Sequence, residues 1–337
     1  MKLILKTLIF LIIGIEIEKL SLLTTNITSK TSQQIKINNN FYTNSELYVL
    51  GDSLSDNGNL PNIINHNLLN LYKIKFQTPF YHNSFSNGDV AASILAKKLG
   101  TKLIPAWYQN GNNYAVAGAH SKDENDWQYK IFLNHFNIVH QAEKLIKEHK
   151  IQKNDYIFIE IGGNDLTTIL DKLPSCNSEL LIKKSINNEF NAIQKLINAG
   201  AYNLLISNCP DISKIPQYVN GSKNTKFIAY NLAKKFNILW KIKSKILIKN
   251  NQKINIKLFD LETYFNKILN QAKLMGKNIT NESIVWNWKE ILLNKKPKYV
   301  NNTKPLTINN NFFFDYIHPN KWAHLQIADQ LFKLIKN

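Results

Sequence analysis

Residues 47–59 read LYVLGDSLSDNGN, a short apolar run followed at once by a polar turn rich in Gly, Asp and Ser. The run at 47–50 has the length and composition of a buried strand in a parallel sheet, which is covered on both faces. The turn places Ser53 just beyond the carboxyl end of that strand. Ligands of parallel α/β sheets bind at this edge. The stretch therefore predicts a parallel sheet with a polar site beyond its first strand.

Similar apolar runs predict further strands at 156–161, 204–207 and 254–259, with 102–104 as a weaker candidate. Helical periodicity falls between them, at 90–99, 138–149, 186–199, 225–248 and 320–335. In the longest helix an apolar stripe predicts ordinary core packing: Leu232, Phe236, Leu239, Ile242 and Ile246. Strands that alternate with helices imply a three-layer α/β/α sandwich with a mostly parallel sheet.

The charge of the chain is strongly positive, with 42 basic and 24 acidic residues and a formal net charge of +18. Every basic residue is Lys, and these residues are scattered along the chain. Without Arg the chain lacks the bidentate group that usually reads guanine and grips phosphates, so we do not expect sequence-specific nucleic-acid binding. A weak attraction to anionic membranes is compatible with this surface.

The first 23 residues resemble a secretory signal peptide, with Lys2 and Lys6 before a short apolar run at 7–15. This run is shorter than the roughly 20 residues that a bilayer-spanning helix needs. We expect export, to the medium, the periplasm or the cell envelope, and assign no cleavage site; an uncleaved N-terminal helix is the alternative. A polar extension at 24–45 precedes a single folded domain at 46–337.

The chain has two cysteines, Cys176 and Cys209. In an exported protein an even pair suggests a disulfide, whereas two independent buried thiols are the simpler alternative. Both interpretations stay open at this point.

Two further motifs carry polar side chains at positions suited to catalysis. Residues 161–165, IGGND, follow an apolar strand, and the Asn164 amide is a neutral donor that fits an oxyanion hole. Residues 314–319, FDYIHP, set Asp315 and His318 three apart in a turn before the last helix, where a carboxylate can lie beside an imidazole.

These motifs, together with FSNG at 85–88 and NYAVAG at 113–118, occur in an order that resembles the GDSL, or SGNH, hydrolase family over residues 47–331. The resemblance implies the flavodoxin-like fold of that family and no metal or cofactor. It implies that Ser53 attacks the acyl carbon, that His318 is the general base and that Asp315 orients its imidazole. The backbone N–H groups of Ser53 and Gly118 and the amide of Asn164 would bind the oxyanion.

Other polar residues near the motifs have simpler interpretations. His324 lies inside the last predicted helix and is better explained as a packing or surface residue than as the base. Ser55 and Ser86 fit turn or capping positions, and Asp52 and Asp165 are expected to support the loop backbones.

Two departures from the family bear on the substrate. Ser84 stands where many relatives have Arg, and residues 166–188 and 275–311 have no counterpart that we can place. The pattern resembles bacterial lysophospholipases and glycerophospholipid acyltransferases most, which implies a secreted lipase or esterase acting on lysophospholipid or phospholipid, with acyl transfer as a second outcome. The alternatives are a carbohydrate O-acetyl esterase and an inactive binding or adhesion protein on the same fold. The oligomeric state is not predicted.

Overall fold

The main sheet contains four parallel strands in the order β1–β2–β3–β4. The structure, a computed structural model, describes residues 45–337 except 69, 72 and 123–134. The strands are β1 Leu47–Gly51, β2 Tyr156–Glu160, β3 Asn203–Ser207 and β4 Asn255–Phe259. Their register places the last residues of all four at one edge of the sheet. The predicted signal peptide, and all of the polar extension except residue 45, lie outside the described residues.

The weaker strand predicted at 102–104 is not formed. Residues 112–116 lie beside β1 instead, with the Val49 N–H donating to the Asn112 carbonyl at 3.0 Å and the Tyr114 N–H to the Val49 carbonyl at 2.7 Å. Residues 102–104 are partly or fully exposed, and the segment that follows them pairs with Asn113 only through an isolated bridge at Pro105. The prediction of a strand at 102–104 was therefore wrong, because residues 112–116 lie beside β1 at this side of the sheet.

Helices cover both faces of the sheet, which confirms the predicted α/β/α sandwich. On one side α2 and α8 pack against α10, and on the other α5 packs against α3 and α7. The helices are α1 Asn59–Asn67, α2 Ala91–Lys98, α3 Ile138–Glu148, α4 Gly163–Asp171, α5 Ser178–Asn198, α6 Pro216–Val219, α7 Lys223–Asn250, α8 Leu261–Leu274, α9 Trp288–Leu292 and α10 Lys321–Lys336.

Helices and a small hairpin form the segments 166–188 and 275–311. A two-stranded antiparallel hairpin, β5 Ile284–Val285 with β6 Lys298–Tyr299, lies within 275–311. The segment 166–188 is mainly helical, since it contains most of α4 and the start of α5. None of the helices in the described ranges is both long enough and apolar enough to span a lipid bilayer.

The strands and the inner helix faces form one hydrophobic core. Every residue of β1 and β3 is buried, as expected for strands covered on both faces. Polar side chains fix where helices begin: Asn137, Ser222 and Asn320 each accept a backbone N–H from the first turn that follows. These local caps agree with the helix positions predicted from periodicity.

The apolar stripe predicted for α7 is correct only in its first half. Leu232 and Phe236 are buried, but Ile242 and Ile246 are about half exposed. The buried face continues through Trp240, Ser244 and Leu247 instead. Ser244 can be buried because its hydroxyl donates to the Trp240 carbonyl at 2.9 Å, which the apolar pattern alone does not show.

The disulfide considered between Cys176 and Cys209 is absent, and both residues are free thiols. The sulfur of Cys209 is buried against the Ile161 carbonyl at 3.2 Å, whereas that of Cys176 lies 3.7 Å from the Ile169 carbonyl. The two thiols thus donate to different carbonyls, at the two ends of α4. The interpretation as two independent thiols describes this structure.

A buried acid in α5 makes the stability of the fold depend on pH. Glu189 is fully buried; one oxygen accepts the Trp240 indole N–H at 2.8 Å, and among the described residues the other has no partner. Burial raises the pKa of Glu189 from 4.5 to about 8. The stability that its protonated form contributes is therefore full below pH 4.5 and is lost as the pH rises through about 8.

We expect Glu189→Gln to remove much of this loss, because Gln keeps the shape and the acceptor but cannot ionise. Chemical unfolding at about pH 5 and about pH 9 should show the free energy of unfolding falling by a few kcal/mol less in the variant than in the parent, on the order given by linkage. Equal pH dependence in the two proteins would show that Glu189 does not control it.

Candidate active site

Ser53 lies at the carboxyl edge of the sheet, in the turn that follows β1. The turn is closed by the N–H groups of Ser55 and Asp56, which donate to the Asp52 carbonyl at 3.2 and 3.0 Å. Gly51 precedes it because the chain passes close to β2: a Cβ at this position would lie 2.5 Å from the Glu160 carbonyl oxygen. The sequence thus bends the chain directly after a buried strand and presents the Ser53 hydroxyl at that edge.

Asp315 and His318 lie in a tight loop before α10. The N–H groups of Ile317 and His318 donate to Asp315 Oδ1 at 2.9 and 2.7 Å, and the Phe314 N–H donates to the His318 carbonyl at 2.8 Å. The carboxylate therefore organises its own loop, much as Asp and Asn side chains do in other turns.

The structure brings the three predicted triad residues together. His318 Nε2 lies 2.7 Å from Ser53 Oγ, and His318 Nδ1 lies 2.8 Å from Asp315 Oδ2. These are hydrogen-bonding distances, and the three side chains are buried. With Nδ1–H donating to the carboxylate, Nε2 is the acceptor for the Ser53 hydroxyl and can take up its proton.

Asp315 is held as a carboxylate. Burial alone would raise the pKa of Asp315, but attraction to His318 and the hydrogen bonds donated by His318 and Trp286 outweigh it and hold the pKa below its ordinary value. A charged carboxylate fixes the imidazole tautomer and stabilises the imidazolium that forms after proton transfer.

The predicted oxyanion donors lie around the same serine. Asn164 lines the cavity that Ser53 faces and donates from Nδ2 to the Ala119 carbonyl at 2.9 Å. An amide nitrogen carries two hydrogens, so a second remains for a ligand. Within the described part of the chain, the backbone N–H groups of Ser53 and Gly118 have no acceptor. Gly118 has a left-handed φ of 84° and is not among the residues that line the cavity.

The first of the two glycines before Asn164 has a steric reason. Gly162, between β2 and α4, has φ 119°, and a Cβ there would lie 2.5 Å from the Phe236 ring and 2.7 Å from the sulfur of Cys209. Only glycine combines this backbone conformation with this close approach. The turn then starts α4 at Gly163, which places Asn164 in its first turn.

The Ser53 turn, at residues 51–59, and the NYAVAG motif, at 113–118, are joined to each other by asparagine side chains. Asn113 donates to the Ser55 carbonyl at 2.8 Å, and Asn59 donates to the carbonyls of Asn113 and Ala115 at 2.7 Å. Because each asparagine bonds the backbone of the other motif, the loop that carries Gly118 is held at a fixed position relative to Ser53.

The FSNG motif supports the histidine loop from the other side. Asn87 Oδ1 accepts the Lys321 N–H at the start of α10 at 2.8 Å. The ring of Phe85 lies 4.9 Å from the His318 ring, centroid to centroid. The motif thus contacts both the helix that follows His318 and the imidazole itself.

A pair of buried acids lies beside the Ser53 turn. The Asp52 N–H donates to Glu160 Oε1 at 3.3 Å, and both side chains line the cavity. Burial raises the pKa of Asp52, and burial together with the charge of Asp52 raises that of Glu160 well above its ordinary value. Both shifts disfavour the doubly charged form of the pair, which limits the negative charge close to Ser53.

The expected supporting roles of Asp52 and Asp165 are confirmed. Asp52 Oδ1 accepts the Leu54 N–H at 3.0 Å, inside the turn that holds Ser53. Asp165 accepts the backbone N–H of Ser121 at 2.9 Å and its hydroxyl at 2.6 Å. Asp165 thus holds the segment that follows Gly118 against α4.

His324 is a packing residue, as the sequence predicts. Its Nδ1 accepts the Ala91 N–H at 3.2 Å and so joins α10 to the start of α2. Burial, with a smaller effect of His318, lowers the pKa of His324 to about 3, so the ring stays neutral. Ser86 is buried in its loop, where its carbonyl accepts the Tyr81 N–H.

Sequence reasoning missed Trp286, which directly follows β5 of the hairpin. Its indole N–H donates to Asp315 Oδ2 at 2.8 Å, and its ring packs against Phe85 with 5.3 Å between centroids. The only signal for it was the pair of tryptophans, Trp286 and Trp288, set close together in the sequence. No spacing rule connects them to the triad.

We expect Trp286→Phe to lower kcat on a soluble ester roughly tenfold with little change in KM, because a hydrogen bond to a buried carboxylate is lost while the aromatic packing is kept. Trp288→Phe is the matched control: Trp288 packs on the ring of Trp286 with 5.2 Å between centroids. Steady-state kinetics compare the two. Equal effects on kcat would assign the loss to packing rather than to the bond with Asp315.

A Ser–His–Asp arrangement at the carboxyl edge of a parallel sheet defines the class of serine hydrolases. More specifically, this chain belongs to the GDSL-like lipase/acylhydrolase family, whose family model matches residues 47–331. These residues include both the Ser53 turn and the loop of Asp315 and His318.

Individual relatives are more distant. The chain is 25% identical over 239 residues to the thermolabile hemolysin of Vibrio parahaemolyticus, which covers 69% of this chain and 49% of the hemolysin. It is 26% identical over 180 residues to Lipase 1 of Photorhabdus luminescens, and this match covers 53% of this chain and 24% of the lipase. The chain thus spans half or less of the length of these relatives.

Solved structures with a similar fold include a lipolytic G-D-S-L family protein from Veillonella parvula and an acetylxylan esterase from Geobacillus stearothermophilus. The first is 12% identical with a TM-score of 0.41, and the match covers 87% of this chain and 100% of the other. The second is 12% identical with a TM-score of 0.42, and the match covers 87% of this chain and 94% of the esterase.

Proposed function

We propose that this chain is a serine esterase that hydrolyses carboxylic esters through an acyl-enzyme on Ser53. The observation that carries the proposal is the unbroken series of hydrogen bonds from Ser53 through His318 to Asp315. This series supplies a nucleophile, a base within reach of its proton and a carboxylate that orients the base.

The chemistry follows from this geometry. His318 Nε2 accepts the proton of Ser53 as Oγ forms a bond to the acyl carbon, whose carbonyl oxygen becomes the oxyanion. When the tetrahedral intermediate collapses, the bond to the alcohol breaks and His318 protonates the leaving oxygen. Water then attacks the acyl-enzyme with His318 again as base, and the acid is released while Ser53 regains its proton. An alcohol in place of water would give acyl transfer.

The oxyanion is stabilised by donors that are in place before the reaction. We expect Asn164→Ala to lower kcat roughly a hundredfold to a thousandfold with little change in KM, since the amide acts on charge that develops only in the transition state. Thr167→Val is the matched control: Thr167 lies in the same helix and also lines the cavity. Steady-state kinetics on a soluble ester test this, and an effect confined to KM would contradict the role.

We propose lipid esters, in particular lysophospholipid or phospholipid, as the substrate class. The cavity beside Ser53 offers mostly apolar side chains to a substrate, among them Ile161, Ile212, Ile215, Leu261, Phe265 and Ile317. Such a wall suits an acyl chain better than a sugar, which needs many polar partners. The names of the sequence relatives, a hemolysin and a lipase, are in keeping with this class.

A chain-length series distinguishes the lipid proposal from a carbohydrate O-acetyl esterase. Each methylene buried against this wall contributes up to about 0.8 kcal/mol, or about fourfold in kcat/KM, until the wall is covered. We therefore expect long-chain lysophosphatidylcholine to be preferred over acetylated sugars when lipid products are quantified by mass spectrometry. A marked preference for acetylated sugars would contradict the lipid proposal and favour the carbohydrate O-acetyl esterase. The Ser53→Ala protein serves as the blank.

A further inference from the structure

Helix α7 concentrates positive charge that the rest of the chain spreads out. Its 28 residues, KNTKFIAYNLAKKFNILWKIKSKILIKN, contain no Asp or Glu. None of its lysines takes part in the ion pairs formed within the described part of the chain. These lysines are Lys223, Lys226, Lys234, Lys235, Lys241, Lys243, Lys245 and Lys249. The helix therefore carries cationic charge with no acid in its own sequence; Glu179, Asp260 and Glu262, on neighbouring elements, interact electrostatically with Lys235, Lys241 and Lys234.

The same helix exposes a row of large apolar side chains. Phe227, Ile238, Ile242 and Ile246 are each about half exposed or more. The three isoleucines are spaced by four residues, so they are neighbours on one face, and Phe227 precedes Ile238 by about three helical turns. Single exposed apolar residues are ordinary, whereas a row opposite the buried face of a helix marks an interaction surface.

Lysines and the apolar row occupy the same side of α7. Lys234, Lys241 and Lys245 are exposed and lie, by helical spacing, close to the line from Phe227 to Ile246. Long Lys side chains can extend sideways and keep their ammonium groups in water while an apolar neighbour is covered. A surface built in this way suits a boundary between acyl chains and anionic headgroups.

The N-terminal end of α7 lies at the catalytic edge of the sheet. Just before the helix, the Gln217 N–H donates to the Tyr316 carbonyl at 3.0 Å, two residues from His318. Ile212 and Ile215, a few residues earlier, line the cavity beside Ser53. The N-terminal end of this surface, at Phe227, therefore lies toward the edge at which an ester must enter, and the isoleucines lie roughly 20 to 35 Å along the helix from its first residue.

We propose that α7 is an interfacial helix that binds this protein to an anionic lipid surface, with its lysines facing lipid phosphates and its apolar row at the acyl boundary. Charge selects this occupant over a second copy of the chain, because two such helices face to face would bring like charges together. Binding along α7 would place the esterase on the surface that holds its substrate. This link to catalysis rests on the proposed lipid esterase function.

Vesicle sedimentation tests the surface separately from catalysis. We use vesicles of ether-linked phosphatidylcholine, with or without ether-linked phosphatidylglycerol, which contain no carboxylic ester to hydrolyse. The wild type should bind the anionic vesicles at about 0.1 M salt and dissociate from them at about 1 M. The Debye length falls from about 10 Å to about 3 Å over this range, which screens the attraction between the lysines and the lipid phosphates. The triple variant Ile238→Gln, Ile242→Gln, Ile246→Gln should bind at least roughly tenfold more weakly.

Two further variants complete the design. The control Leu274→Gln, Met275→Gln, Leu306→Gln changes three side chains that are more exposed than the α7 isoleucines and lie elsewhere, and it should bind like the wild type. The variant Lys234→Gln, Lys241→Gln, Lys245→Gln should lose binding to anionic vesicles as well. All of these proteins should keep the turnover of a soluble short-chain ester, which also reports that they are folded.

The inference is overturned if the wild type does not bind anionic vesicles, or binds neutral vesicles equally well. It is also overturned if the isoleucine or lysine variant binds anionic vesicles like the wild type, or if the control variant loses binding as much as the isoleucine variant does. Concentration-dependent dimers that disappear in the isoleucine variant would assign the face to a second copy instead. Vesicle binding without turnover of any ester would remove the proposed function and leave α7 as a lipid-binding surface.

Discussion

Ser53→Ala should lower the turnover of a soluble ester by at least about a thousandfold. The triad acts as a unit, so loss of the nucleophile leaves only binding and the oxyanion donors to act on the substrate. Folding should persist, because among the described residues the hydroxyl of Ser53 bonds only to His318 Nε2 and alanine fits the same turn. Initial rates on a chromogenic short-chain ester, with circular dichroism as a check on folding, measure the effect.

Ser86→Ala is the matched control. Ser86 is also buried, in the motif that packs beside His318, but its hydroxyl has no hydrogen-bond partner among the described residues. Its turnover should stay close to that of the wild type. Near-normal turnover in Ser53→Ala would contradict the proposed nucleophile, whatever the control shows.

His318→Ala should be about as damaging as the loss of Ser53, since no other described group lies within hydrogen-bonding distance of Ser53 Oγ and the hydroxyl is a weak nucleophile without its base. His324→Ala should keep turnover within about tenfold and instead lower the melting temperature, because the Ala91 N–H loses its buried acceptor. Parallel rate and melting measurements separate the two histidines. A reversed ranking of the rates would mean that the base is misassigned.

The triad could be predicted from sequence because each part of it is organised locally. The turn after β1 is closed by bonds within residues 52–56, and the Asp315 loop is closed by bonds from Ile317 and His318. Local hydrogen bonds of this kind leave a readable spacing in the sequence. The contact between Ser53 and His318 then follows from the sheet, which brings both loops to one edge.

Features that depend on distant contacts could not be predicted. Trp286 reaches Asp315 through a hairpin whose position no local pattern specifies, and the exposed half of α7 follows from the burial of Ser244, a polar residue that satisfies its own hydroxyl. The failed strand at 102–104 has a similar cause, since the neighbouring residues 112–116 take the place beside β1. In each case a hydrogen bond that the apolar pattern does not contain decided the structure.

The most direct test of the central claim is covalent labelling with a fluorophosphonate, followed by mapping of the modified peptide by mass spectrometry. Such a probe captures a serine that is activated by its base, so it reports the nucleophile without assuming a substrate. We expect a single label on Ser53, and none when the experiment is repeated with His318→Ala. Labelling of a different residue, or an active esterase whose Ser53 stays unmodified, would contradict the account.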